Sequence, residues 1–157
     1  MGPAPVLPPP PPVLAPPITI AASNATPVIT ANNTTVTATA GNHQIFIGGT
    51  GDTISAVGGT EAVMAFQGGN TITTGASNDT IRIAGSGNVI DAGAGINEID
   101  DSGSGNKIIL PKGGSGSDSI YGYVLQNNDM FDLRPMLAAT KWGGRLSNIG
   151  NFLSERT

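Results

Sequence analysis

Residues 43–110 read HQIFIGGTGDTISAVGGTEAVMAFQGGNTITTGASNDTIRIAGSGNVIDAGAGINEIDDSGSGNKIIL, with a branched aliphatic residue at every ninth position. With one earlier member, the series is Val36, Ile45, Ile54, Val63, Ile72, Ile81, Ile90, Ile99 and Ile108. Neither a helix nor an ordinary sheet requires this spacing, whereas stacked coils with one short strand and one turn per repeat do. Equivalent residues of such a stack lie about 4.8 Å apart along its axis. The period therefore predicts an all-β solenoid.

Other positions of the repeat are also regular. Glycine recurs three and five places before the aliphatic residue, as at Gly51 and Gly49, where a tight left-handed turn is expected. Two places before it, the residues are mostly small and polar: Thr34, His43, Asp52, Glu61, Asn70, Asp79, Asn88, Asn97 and Asn106. Two places after it, they are mostly apolar: Ala38, Ile47, Ala56, Ala65, Thr74, Ile83, Ala92, Asp101 and Leu110. Strand alternation predicts that this last set also points inward.

The repeat fits either two strands per coil, with an 18-residue turn, or three strands per coil, with a 27-residue turn. Outward threonines occur on alternate repeats, which favours two facing sheets. The fold class predicted is therefore an all-β, two-sided parallel β-roll. Its expected organisation is a proline-rich tail at residues 1–17, the roll at residues 18–122, and a C-terminal cap with a short helix at residues 123–157. Pro8 to Pro12 predict a polyproline II segment, either a linker or tag, or a strap that docks on another subunit.

Composition fits a solenoid with a thin core and excludes several functional classes. Of 157 residues, 23 are glycine and 12 are proline, while 11% are charged and 4% aromatic. The first basic residue is Arg82 and no basic stripe follows, so no nucleic-acid binding is expected. No stretch has the form of an N-terminal secretory signal or the ~20 apolar residues of a membrane-inserted span. The absence of cysteine excludes disulfides and thiol chemistry.

Residues 113–120 read GGSGSDSI, which resembles the calcium-binding nonapeptide of RTX proteins, the glycine–aspartate β-roll family. Residues 48–54 and 78–81 match it loosely. Residues 128–137, NDMFDLRPML, and the chain up to residue 153 resemble the segment that follows such rolls in type I secreted bacterial proteins. The resemblance covers about residues 41–153. It implies export through a one-step channel, folding outside the cell, and a non-catalytic role beside or within a larger surface protein.

Calcium is the one cofactor that this resemblance implies. Such a site needs carboxylates from turns one coil apart together with carbonyl oxygens. Here asparagine fills four of the nine turn positions, and only Glu61 and Asp79 place carboxylates in neighbouring turns. Stacked asparagines can instead form side-chain ladders along the axis. Asp118, inside the full motif, is the first predicted metal ligand and Asp79 the second.

Three further patterns could carry chemistry, and each also has a structural explanation. Paired outward hydroxyls resemble the Thr-x-Thr arrays of ice-binding solenoids, although threonine favours exposed strand positions in general. The pairs are Thr35/Thr37, Thr53/Ser55 and Thr71/Thr73. Glu98 and Asp100 share an outward face about 7 Å apart, a separation that suits glycoside hydrolysis, but no cleft is expected there. His43, the only histidine, is predicted to be a ladder member with no serine or acid beside it.

The large apolar residues cluster late in the sequence. Phe46 and Phe66 stand alone, whereas sugar-binding surfaces line up aromatic residues. We expect a late group to pack over the C-terminal end of the roll, with Asp132 capping a helix that starts at Leu133. That group is Tyr121, Tyr123, Phe131, Leu133, Met136, Leu137, Trp142, Phe152 and Leu153. The N-terminal end has no comparable cover, which favours head-to-tail association.

These features predict a non-enzymatic, secreted structural or adhesive β-roll of a bacterial surface or extracellular matrix. The expected partner is a second copy of the chain, in an oligomer or a fibre. The alternative is a carbohydrate-binding or folding-assisting appendage of a larger secreted enzyme, whose partner would be a polysaccharide.

Overall fold

The computed structural model describes residues 15–21, 23–111, 116–122 and 127–138. Successive strands alternate between two sheets. The first sheet contains, in spatial order, β1 (Ile18–Ile20), β3 (Thr35–Ala38), β5 (Thr53–Ala56), β7 (Thr71–Thr74), β9 (Val89–Asp91), β11 (Lys107–Ile109) and β13 (Met130–Asp132). The second contains β2 (Val28–Ile29), β4 (His43–Ile47), β6 (Glu61–Ala65), β8 (Thr80–Ile83), β10 (Gly95–Asp101) and β12 (Gly116–Gly122).

All neighbouring strands are parallel, and their register follows the sequence repeat. Val36 pairs with Ile54, and Ile54 with Ile72, so equivalent residues are 18 apart in sequence. This confirms the two-sided parallel β-roll over the three-sided arrangement. The last coil is longer, since Ile108 pairs with Phe131 and Ile99 with Ile120.

The space between the sheets is filled by the periodic aliphatic residues. Every member of the series from Val36 to Ile108 is at most 1% exposed. The inward positions two places later are buried as well, which confirms the predicted alternation, and they include the polar Thr74 and the charged Asp101. Each buried isoleucine or valine contributes about 1.5–3 kcal/mol by leaving water. A single coil cannot enclose these side chains, so stacking is what buries them.

One corner of every coil requires a left-handed backbone. Gly51, Gly69, Gly87 and Gly105 have φ between +62° and +73°. At the equivalent place, the first coil carries Asn33 (φ +55°) and the last coil Asn128 (φ +62°). Asparagine is one of the few other residues that adopt this conformation at low cost.

The C-terminal part continues the roll before it caps it. Strand β13 lies beyond the predicted limit at residue 122 and completes the first sheet. Helix α1 (Arg134–Ala138) follows and begins one residue later than predicted. The Arg134 amide donates to Asp132 Oδ1 at 3.2 Å, which confirms Asp132 as the capping residue.

Three of the late apolar residues, Phe131, Leu133 and Met136, pack against the core as predicted. Tyr121 does not, because its side chain lies on the outer face of β12 and is 55% exposed. The predictions for Pro8 to Pro12, Tyr123, and the aromatic and leucine residues from Trp142 onward lie outside the described residues.

Candidate functional site

A ladder of buried polar side chains runs along the corner that precedes the strands of the first sheet. Its members are Thr34, Asp52, Asn70, Asn88, Asn106 and Asp129. From Asp52 onward, each side-chain oxygen accepts a hydrogen bond from the backbone amide of the member one coil earlier, at 2.6–2.9 Å. The predicted asparagine ladder is therefore present, but its main bond joins side chain to backbone.

A second ladder precedes the strands of the second sheet. Asp79 Oδ1 accepts the Glu61 amide at 2.8 Å, and Asn97 Oδ1 accepts the Asp79 amide at 3.0 Å. At the longer last coil the pattern changes, because Asn97 Nδ2 rather than its amide donates to Asp118 Oδ1, at 2.8 Å. The two ladders satisfy corner groups that have no partner within their own coil.

His43 heads the second ladder and has an acid partner. Its Nδ1 lies 3.0 and 3.1 Å from the two carboxylate oxygens of Glu61, and both side chains are buried. The prediction that no acid stands beside His43 is therefore wrong, although its place in the ladder is as predicted. The sequence contained the signal, since Glu61 occupies the same repeat position one coil later. Burial raises the pKa of Glu61, while the hydrogen bond with His43 opposes that rise.

Asp79 and Asp118, the predicted calcium ligands, belong to the same ladder but are separated by Asn97. They therefore stand two coils apart, about 10 Å along the axis. Each commits Oδ1 to an N–H donor, and Oδ2 of each is buried without a hydrogen-bond partner. Burial raises the pKa of both carboxyls.

Asp79 and Asp118 do not share a calcium site of the expected kind, because they stand two coils apart. Calcium takes six or more oxygen ligands, and Oδ1 of each aspartate already accepts an N–H donor. Among the described residues, no cluster of three or more His, Asp or Glu side chains could hold a metal ion. Calcium binding at Asp79 or Asp118 stays a prediction.

A buried acid that the site prediction passed over is Asp101, which takes an inward position normally held by an apolar residue. Its Oδ1 accepts hydrogen bonds from the Gly103 amide and from Asn106 Nδ2, both at 2.9 Å. Burial raises its pKa, and the nearby Asp129 raises it further. Its repeat position predicted the burial, and its contacts link the core to the first ladder.

The outer faces of the sheets carry the other predicted features. On the first sheet, Thr35, Thr53 and Thr71 form an exposed column, with Thr37, Ser55 and Thr73 half-buried beside it. On the second sheet, Glu98 and Asp100 are exposed on the outer face of β10, and only Asp100 lines the shallow groove described next.

A shallow groove of about 240 Å³ lies on the outer side of the second sheet. Its lining includes Met64, Phe66, Arg82, Ala84 and Asp100. Sequence reasoning treated Phe66 as an isolated residue, because its neighbours come from adjacent coils, 18 positions away.

Comparison of the chain with protein-family models, curated proteins and solved structures gives no match. In the part of the chain that the structure describes, no helix has the length and apolar character needed to cross a membrane.

Proposed function

We propose that this chain is a secreted, non-enzymatic β-roll that acts as a structural or adhesive element of a bacterial surface or extracellular matrix. Copies of it join end to end through their strand edges. The observation that carries the proposal is the pair of open edges at the two ends of the stack. Among the described residues, β1 and β2 have no neighbour on the N-terminal side, and β12 and β13 have none on the C-terminal side.

The chemistry of these edges favours continued pairing. In the roll, the backbone amides of outward-facing residues donate to carbonyl oxygens one coil earlier. The Thr53 amide, for example, donates to the Thr34 carbonyl oxygen at 2.9 Å. Thr19 holds an outward position of β1, so the alternation of a parallel ladder directs its amide away from β3. Strand β12 presents a seven-residue edge with mostly exposed side chains. An added copy whose β1 continues the first sheet at β13, and whose β2 continues the second sheet at β12, satisfies such groups, and head-to-tail pairing of this kind produces a fibre.

Export is supported by the sequence alone. Residues 113–120 resemble the RTX nonapeptide, and the lack of cysteine suits a roll held by ladders outside the cell. The ladders provide rigid display without any reacting group, which is the property that a structural or adhesive module needs.

The test compares sedimentation of the wild type, Thr19→Pro and Thr19→Val, each with and without a calcium chelator, with electron microscopy of the same samples. Proline at position 19 removes the backbone amide that faces the open edge and is tolerated on an edge strand, whereas valine keeps this amide. We expect fibres of the wild type and of Thr19→Val that resist the chelator, and a mainly monomeric Thr19→Pro. A wild type that stays monomeric at every concentration would contradict assembly. Assembly that requires calcium would support the prediction that Asp79 and Asp118 are calcium ligands.

A further inference from the structure

The groove beside Phe66 has a defined origin in the repeat. Phe66, Ala84 and Ser102 hold the same position in three successive coils, as the bonds from their amides to the preceding coil indicate. Ala84 and Ser102 are both much smaller than Phe66, so the column steps down from the aromatic ring to a shallow floor. Met64, Arg82 and Asp100 form the neighbouring column, in register across β6, β8 and β10. The groove therefore has an aromatic end wall and a charged side wall.

The charged wall has unused hydrogen-bonding capacity. Arg82 and Asp100 pair in register on adjacent strands and both are exposed. Neither forms an ion pair or a side-chain hydrogen bond with any described residue. Guanidinium is a donor only and carboxylate an acceptor only, so a ligand that satisfies both must donate and accept. Adjacent hydroxyl groups do this.

The aromatic wall adds the second requirement on the ligand. The side chain of Phe66 is 53% exposed, and a ring presented in this way favours a flat partner with an apolar face. A pyranose ring combines such a face with a rim of hydroxyls. From these walls we infer that the groove binds one ring of a neutral polysaccharide.

The ligand extends along the sheet. The groove is smaller than the roughly 300–1,000 Å³ of pockets that enclose whole small molecules, so it suits one unit of a longer chain. The same strip continues to Tyr121, which pairs with Asp100 in register and is 55% exposed, and to Phe46, which pairs with Met64. A chain that lies across the strands meets these aromatic residues in turn.

Charge selects a neutral chain over an acidic one. Glu98 is exposed on the same face as Asp100, and the whole protein carries a net charge of -4. Uronate carboxylates would be repelled by these groups, with Arg82 as the one opposing charge on this face among the described residues. This inference rests on the adhesive role proposed above and not on end-to-end assembly.

The test measures depletion of the full-length chain from solution by insoluble cellulose, starch and mannan, with alginate as an acidic polysaccharide. We expect retention on at least one neutral polymer, little changed by salt. Phe66→Ala and Asp100→Asn should each weaken it by about tenfold, the loss of one well-placed contact. Ile96→Ala is the matched control, since Ile96 is also a large exposed residue (67%) of the second sheet, in β10 but outside the groove.

Absence of retention on all three neutral polymers would overturn the inference, and so would equal losses for Phe66→Ala and Ile96→Ala. Salt-sensitive retention on alginate alone would overturn it as well. Sedimentation of the same samples tests assembly independently of polysaccharide binding. A strictly monomeric chain that binds a neutral polymer through Phe66 would refute the fibre and leave polysaccharide binding supported.

Discussion

At the scale of single residues, the corner polar side chains act as hydrogen-bond partners for the backbone of the preceding coil. Asn88 Oδ1 accepts the amide of Asn70 at 2.9 Å, and its own amide donates to Asn106 Oδ1 at 2.8 Å. All three residues are buried, so no water can replace a lost partner. A buried polar group left without a partner costs about 1–3 kcal/mol, whereas an exposed one turns to solvent.

Replacement of Asn88 by alanine is therefore expected to lower the free energy of unfolding by about 1–3 kcal/mol, since the Asn70 amide loses its acceptor. The control is Asn78→Ala, which removes an acceptor of the same geometry, 2.9 Å from the Ile96 amide, at an exposed position. Urea unfolding of both variants measures the difference. Equal losses would mean that burial of the ladder contributes nothing.

The buried carboxyls predict an unusual pH dependence. Burial raises the pKa of Asp79 above its ordinary 3.8, so the folded chain holds this proton more tightly than the unfolded chain. The stability that this provides is present below about pH 4 and is lost as the pH rises through the raised pKa. Glu61, Asp101 and Asp118 act in the same sense. Asp132 acts oppositely, because Arg134 and Lys107 lower its pKa.

The substitution Asp79→Asn isolates the contribution of the Asp79 carboxyl to this pH dependence. The amide keeps the oxygen that accepts the Glu61 amide and removes the buried charge, just as Asn97 does one coil later. We expect the variant to be more stable than the wild type at pH 7, with the difference shrinking toward pH 4. Thermal unfolding of both chains across this range provides the measurement. A difference that grows on acidification would show that the Asp79 carboxylate is stabilised when charged.

At the scale of the turn between strands, two glycines of one corner have different roles. A Cβ on Gly85 would stand 1.9 Å from the Gln67 carbonyl oxygen, so the backbones of adjacent coils would have to separate. A Cβ on Gly87 would meet nothing within 4 Å, but its φ is +69°. The first glycine permits close approach, and the second permits a left-handed turn.

Alanine at Gly87 should cost about 1–2 kcal/mol, the usual cost of a left-handed residue, and asparagine should cost less, as Asn33 and Asn128 adopt the same turn. Alanine at Gly85 should cost more than either, because the coil interface itself opens. Chemical unfolding of the three variants gives the order. The idea of two roles fails if Gly85→Ala and Gly87→Ala are equally stable.

At the scale of the whole molecule, each coil contacts only its neighbours, so stability accumulates along one axis. Strands β1 to β13 alternate between the two sheets, and the two ladders bind adjacent coils through N–H donors. This organisation explains why we expect the assembly to resist a chelator. Among the described residues, both ends of the stack also present edge strands, which is the basis of the proposed fibre.

The coil length, the buried aliphatic series, the inward second position and the membership of the ladders could all be predicted from the sequence. They depend on strand alternation and on a repeat that places equal residues at equal positions, and both are local properties of the chain. The repeat also contained the signal for the His43–Glu61 pair, whereas the exposure of Tyr121, the extra strand β13 and the groove at Phe66 came only from the tertiary structure. Each depends on which side chains adjacent coils bring together, and in the last coil also on a change of register. At Phe66, a small alanine one coil away creates the space, and only stacking of the coils places it there.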